Sequence, residues 1–117
     1  MAAHEHLQLS LFLPARELIN YTAGHTEGFD NQYLPLSKSP GVYNQKLRES
    51  KERSSLGHHF VKKGKDSLHD SIKKEGVKIP VNLRIRKNDV QINDGHHRLV
   101  SAHDINPDTE VPVRYSE

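Results

Sequence analysis

The stretch Val90-Gln91-Ile92-Asn93-Asp94-Gly95-His96-His97-Arg98-Leu99 decides how the rest of the chain is read. Val90 and Ile92 alternate with polar residues, the period of a half-buried strand, and Asn93-Asp94-Gly95 is a turn signal that ends it. Leu99, Val100, Ala102 and His103 then recur at helical spacing. Two imidazoles and a guanidinium therefore stand on the first turn of a helix, where unpaired backbone N–H groups and the positive dipole end favour an anion. Gly95 permits close backbone approach to a phosphate, and Arg98 offers a planar fork for two phosphate oxygens. His96 and His97, with a reference pKa near ~6.5, are candidates to take a proton from water or to stabilise a leaving oxygen. Asp94 is placed to orient an imidazole or to hold a metal.

The same residues admit a purely architectural reading. Asp94-Gly95 then serves as turn and helix cap, one histidine packs on the sheet, and Arg98 pairs with a carboxylate. A metal site built from Asp94, His96 and His97 has unfavourable spacing, because adjacent helical residues point about 100° apart while helical metal pairs use i, i+4.

Upstream, Asp66 reads as the N-cap of a helix that faces Leu68 and Ile72 to the core and carries Lys73-Lys74 in its last turn. Gly76 closes it at C′. Val77, Ile79, Val81, Leu83 and Ile85 then predict a strand over 77–86, with Pro80 at an edge or strand beginning. Lys87-Asn88-Asp89 joins it to the next strand as a hairpin. Downstream, Asn106-Pro107-Asp108 turns the chain into a final strand over Glu110–Tyr115, with Val111, Val113 and Tyr115 on one face. Helix, strand, strand, helix, strand in residues 66–115 predicts an α+β fold, helices packed on a small mixed sheet.

The first half is less regular. Leu7, Leu9, Leu11 and Leu13 alternate as a strand or extended lead-in, and Pro14 fits the first position of a short helix over 15–19. Tyr21 to Val42, broken by Gly24, Gly28, Pro35, Pro40 and Gly41, reads as a long surface loop. Tyr43 to Arg53 is a polar helix with Tyr43 and Leu47 as its apolar face. The 117 residues read as one domain with its core over 66–115.

Composition excludes several functions. With no cysteine there are no disulfides, thiolate metal sites or cysteine nucleophiles, which suits a cytoplasmic protein. The longest apolar run, Leu11-Phe12-Leu13, is too short for a membrane span, and the start lacks a signal-peptide pattern. The net charge of +2 permits nucleic-acid contact without arguing for it. Charge is concentrated between Lys46 and Lys65, where Lys46, Arg48, Lys62 and Lys63 are candidate nucleic-acid contacts and, equally, an ordinary solvated face. His58-His59 reads as a solvated loop or a second metal or phosphate contact.

The order of these segments resembles a known family. Asp66-Ser67-Leu68, Gly76-Val77-Lys78-Ile79-Pro80-Val81, Ile92-Asn93-Asp94-Gly95-His96-His97-Arg98-Leu99-Val100-Ser101-Ala102 and Val111-Pro112-Val113 are together similar to the ParB-like nuclease domain of the ParB/sulfiredoxin superfamily. The short actinobacterial and phage type, which carries a helix like Tyr43–Ser50 ahead of the core, is the nearer likeness. The resemblance implies a nucleotide pocket bordered by Gly76, Val77 and Pro80, and phosphate-facing roles for Gly95, His96, His97 and Arg98. It implies as ligand a nucleotide, with Mg²⁺ or another divalent metal, or a nucleic acid. Glu17, on the N-terminal helix that in this superfamily can approach the pocket, is the candidate catalytic partner. Sulfiredoxins have a reactive cysteine at the position of His96, and partition proteins have an acid there that helps to hold the nucleotide's metal. Three functions follow as alternatives: a nuclease or nucleotide-dependent phosphotransferase or hydrolase, a non-catalytic DNA-binding or regulatory module, and a phage-encoded factor binding a host protein.

Overall fold

In a computed structural model the described residues are 11–24, 33–54, 64–86 and 89–116. Strands β3 (Val81–Arg86) and β4 (Asp89–Asp94) form an antiparallel pair, with Leu83 opposite Ile92 and Ile85 opposite Val90. Their register shifts between Asn82 and Leu83, a bulge that bends the strand end from which the next helix departs. That helix, α4 (His96–Ile105), leads to β5 (Glu110–Ser116), which lies parallel to β3. β1 (Leu11–Pro14) adds antiparallel to β5, and the short β2 (Thr22–Ala23) adds parallel to β4. The five-stranded mixed sheet has the order β1-β5-β3-β4-β2. Three further helices complete the α+β fold: α1 (Ala15–Leu18), α2 (Pro40–Glu52) and α3 (Leu68–Glu75).

Strand alternation decides where the core lies. Ala23, Val81, Leu83, Ile92, Val111 and Val113 share one face and are buried against Ala15 and Leu18 of α1, Leu68 and Ile72 of α3, and Leu99, Val100 and Ala102 of α4. The opposite face presents Phe12, Arg84 and Arg114 to solvent. No helix among the described residues is long and apolar enough to cross a membrane.

Several boundaries differ from expectation. The strand predicted from Val77 begins at Val81, because Gly76 departs at φ 78° and Pro80, lacking an N–H, stands just outside the ladder; Ile79 is 53% exposed. Ser67, not Asp66, caps α3: its Oγ accepts from Asp70 N–H at 3.1 Å, while Asp66 accepts from Lys74. Pro14 ends β1 instead of opening the helix, and α1 stops at Leu18. The loop expected over 21–42 is structured at both ends. Thr22–Ala23 pairs with β4, Leu36 is buried in a single 3₁₀ turn, and α2 starts at Pro40, whose fixed φ suits a first helical position. Tyr115 is 42% exposed although Val111 and Val113 on its face are buried. Leu7, Leu9 and residues 25–32 and 87–88 lie outside the described residues.

Candidate phosphate site at the start of α4

Gly95 takes φ 100°, a conformation that favours glycine, and passes directly into α4. A Cβ there would meet the Val81 backbone and side chain and the Arg98 guanidinium, each at 3.1 Å. The absent side chain therefore lets the helix start lie against the first residue of β3. The next three residues diverge around the helix as their 100° steps require.

His96 turns inward and is 2% exposed. His97 faces α2, where its Nε2 lies 2.8 Å from Glu49 Oε1. Arg53 holds the other carboxylate oxygen at 2.9 Å, and Ser50 Oγ donates to the His97 carbonyl at 3.3 Å. Burial pushes the His97 imidazole below its ordinary pKa, with Glu49 opposing in part. The hydrogen bond from His97 holds the Glu49 carboxyl below its ordinary range, assisted by Arg53 and Lys46. At neutral pH the pair is therefore a neutral imidazole and an ionised carboxylate. Since a carboxylate only accepts, Nε2 carries the proton and Nδ1 is left as an acceptor.

Arg98 faces the other way, toward α3. Its Nη2 donates to the Pro80 carbonyl at 3.2 Å and lies 3.6 Å from the exposed Asp94 carboxylate. Its Nε is buried without a hydrogen-bond partner among the described residues. Arg98 forms part of the wall of a cavity of about 190 Å³, completed by Leu68, Ser71 and Ile72 of α3 and by Gly76, Val77, Lys78 and Ile79 of the following loop.

The expected site residues thus separate into two groups. Gly76, Val77 and Arg98 line one cavity, with Pro80 and Gly95 bracing the arginine. His96 and His97 do not line it. Glu17 is exposed on α1, where its charge acts on Tyr21. The carboxylate that meets the His97 imidazole is Glu49, whose i, i+4 relation to Arg53 on a polar helix is the sequence signal for it. Lys46 adjoins that pair and Arg48 is exposed on α2. Lys62, Lys63, His58 and His59 lie outside the described residues. His103 packs edge-on to Tyr43, with Nδ1 and the phenol oxygen 2.8 Å apart.

No family model, curated protein or solved structure matches this chain.

The site's own chemistry is the available guide to its ligand. A phosphate group suits a buried guanidinium with an unused N–H. A resident divalent metal suits it less: among the described residues no three His, Asp or Glu side chains converge, and Asp94 faces Arg98.

Proposed function

We propose that this chain is a ParB-like domain that binds the phosphate-bearing part of a nucleotide, or of a nucleic acid, beside Arg98. The observation that carries the reading is Arg98, which lines a cavity beside the first turn of α4 while its guanidinium donates to the Pro80 carbonyl and keeps a buried Nε without a partner among the described residues. The positive end of the α4 dipole and the cation of Arg98 both favour an anion on this side of the helix. At about 190 Å³ the cavity is smaller than the ~300–1,000 Å³ of whole-ligand pockets, so it takes one part of a nucleotide and leaves the remainder outside. The cysteine-free composition favours a cytoplasmic setting. A thermal-shift screen of nucleoside di- and triphosphates, with and without Mg²⁺, Mn²⁺ and Zn²⁺, tests the reading. Wild type is expected to melt higher with at least one ligand and Arg98→Ala to lose that gain. A wild type that responds to none of them sinks it.

The Glu49–His97 pair favours a second reading, in which a phosphoester is hydrolysed on the α2 side of α4, apart from the Arg98 cavity. A carboxylate that fixes the imidazole tautomer leaves Nδ1 able to take a proton from water. Phosphodiesterase activity lost in His97→Ala and Glu49→Gln, with the fold intact, is the expected result.

A further inference from the structure

The sheet face opposite α1, α3 and α4 carries chemistry separate from the Arg98 cavity. Ladder partners share a face, so the register places Phe12 beside Pro112, Arg114 beside Asn82, Arg84 beside Gln91, and Gln91 beside Thr22. These residues form one strip across all five strands, roughly 19 Å wide at the usual strand spacing. Phe12 is 52% exposed, and Arg84 and Arg114 are exposed without an ion pair to any described residue. Asn82 donates one amide hydrogen to Ser116 Oγ at 3.2 Å, which leaves its carbonyl to accept. Gln91, only 5% exposed, makes no side-chain hydrogen bond among the described residues. The acids on this face lie at its borders: Asp89 accepts from Thr22, and Glu110 stands opposite Pro14. The middle of the strip is positive.

An exposed ring, two exposed guanidinium groups without an ion pair among the described residues, and the Asn82 carbonyl match one kind of ligand. Unstacked bases offer flat faces to the ring and a polar edge to the amide, and the connecting phosphates complement the arginines. A duplex presents the phosphates but keeps its base faces covered, and an acidic peptide has no need of the ring. We infer that this face binds single-stranded nucleic acid, with Phe12 stacking on a base and Arg84 and Arg114 contacting phosphates. The inference does not depend on what occupies the Arg98 cavity.

Fluorescence anisotropy with a labelled oligothymidine and an oligouridine of about twelve nucleotides, against the matched duplex and across a salt series, tests it. Wild type is expected to bind the single strands more tightly than the duplex, with affinity falling as salt rises. Phe12→Ala weakens binding by about tenfold to a hundredfold, and Phe12→Tyr restores it. Arg84→Ala with Arg114→Ala flattens the slope of log affinity against log salt by about 1.4. Nucleotide thermal shifts report on the Arg98 cavity and are unchanged in Phe12→Ala, which separates this face from the cavity. Circular dichroism melts confirm that each variant is folded. Absence of binding at low salt, equal or tighter binding of duplex, or indifference to Phe12→Ala each overturns the inference.

Discussion

At position 95 a single methyl group is too much. The backbone sits at φ 100°, and a Cβ would press on Val81 and on the Arg98 guanidinium at 3.1 Å. Gly95→Ala combines left-handed strain of about 1–2 kcal/mol with displacement of backbone that has no room to yield. Urea unfolding is expected to show a loss of at least that size, whereas Gly41→Ala, with open space around it, leaves stability intact. Two residues on, His97 titrates below its ordinary value because burial outweighs the help of Glu49. Removing that carboxylate removes the part that raises it. In Glu49→Gln, NMR titration is therefore expected to show the His97 pKa moved further down, while Lys46→Ala moves it up. The sequence placed Arg98 and Gly95 correctly at a strand-to-helix turn, because a turn signal followed by helical spacing is local information. It did not reveal that His96 and His97 point away from Arg98's cavity, since that depends on which neighbour packs on each side of α4.

Elements show a similar division. α3 was readable from Leu68, Ile72 and the closing Gly76, but its first residue was not, because Asp66 and Ser67 are both good caps. Geometry separates them. Ser67→Ala removes the acceptor of the Asp70 N–H and is expected to cost about 1 kcal/mol; Asp66→Ala removes only an exposed pairing with Lys74 and costs less. Chemical denaturation of the two variants side by side checks the order. Apolar alternation over 77–86 predicted a longer strand than exists, since alternation alone does not say where a ladder partner ends. β3 pairs with β5 only from Val81 onward although β5 begins at Glu110, because Pro80 has no N–H to give the ladder. The stretch 21–42 reads as a loop for the opposite reason: β2 has two residues, too few for a period, and is held by β4 rather than by its own pattern. Leu36 is buried by its neighbours in space.

On the scale of the molecule, three histidine contacts tie the helical layer together. His97 joins α4 to α2 through Glu49, His103 joins the same helices through Tyr43, and His69 joins α3 to α4 through Asp104. Burial depresses the pKa of His97 and of His103, and Glu49 is also depressed. A histidine whose folded pKa lies below its unfolded value adds stability above about pH 6.5 and loses it as protons are taken up below that. Glu49 acts in the same direction at lower pH, below about 4.5. The melting temperature is therefore expected to fall as pH drops from 7 toward 5. In His97→Gln with His103→Gln the pH dependence over that interval becomes shallower. A profile unaffected by the double substitution contradicts this account.

The strand order has a consequence in time as well as in space. β1 is bonded only to β5, and β5 also borders β3. Until the segment from Glu110 onward has emerged from a ribosome, β1 has no ladder partner and one side of β3 is open. The nascent chain therefore holds a β3–β4 hairpin with an unpaired edge, and the sheet is joined only when its last-made strand inserts between the first and the third. Chaperones that shield open sheet edges meet the bare side of β3 only before that insertion; afterwards the exposed edges are β1 and β2.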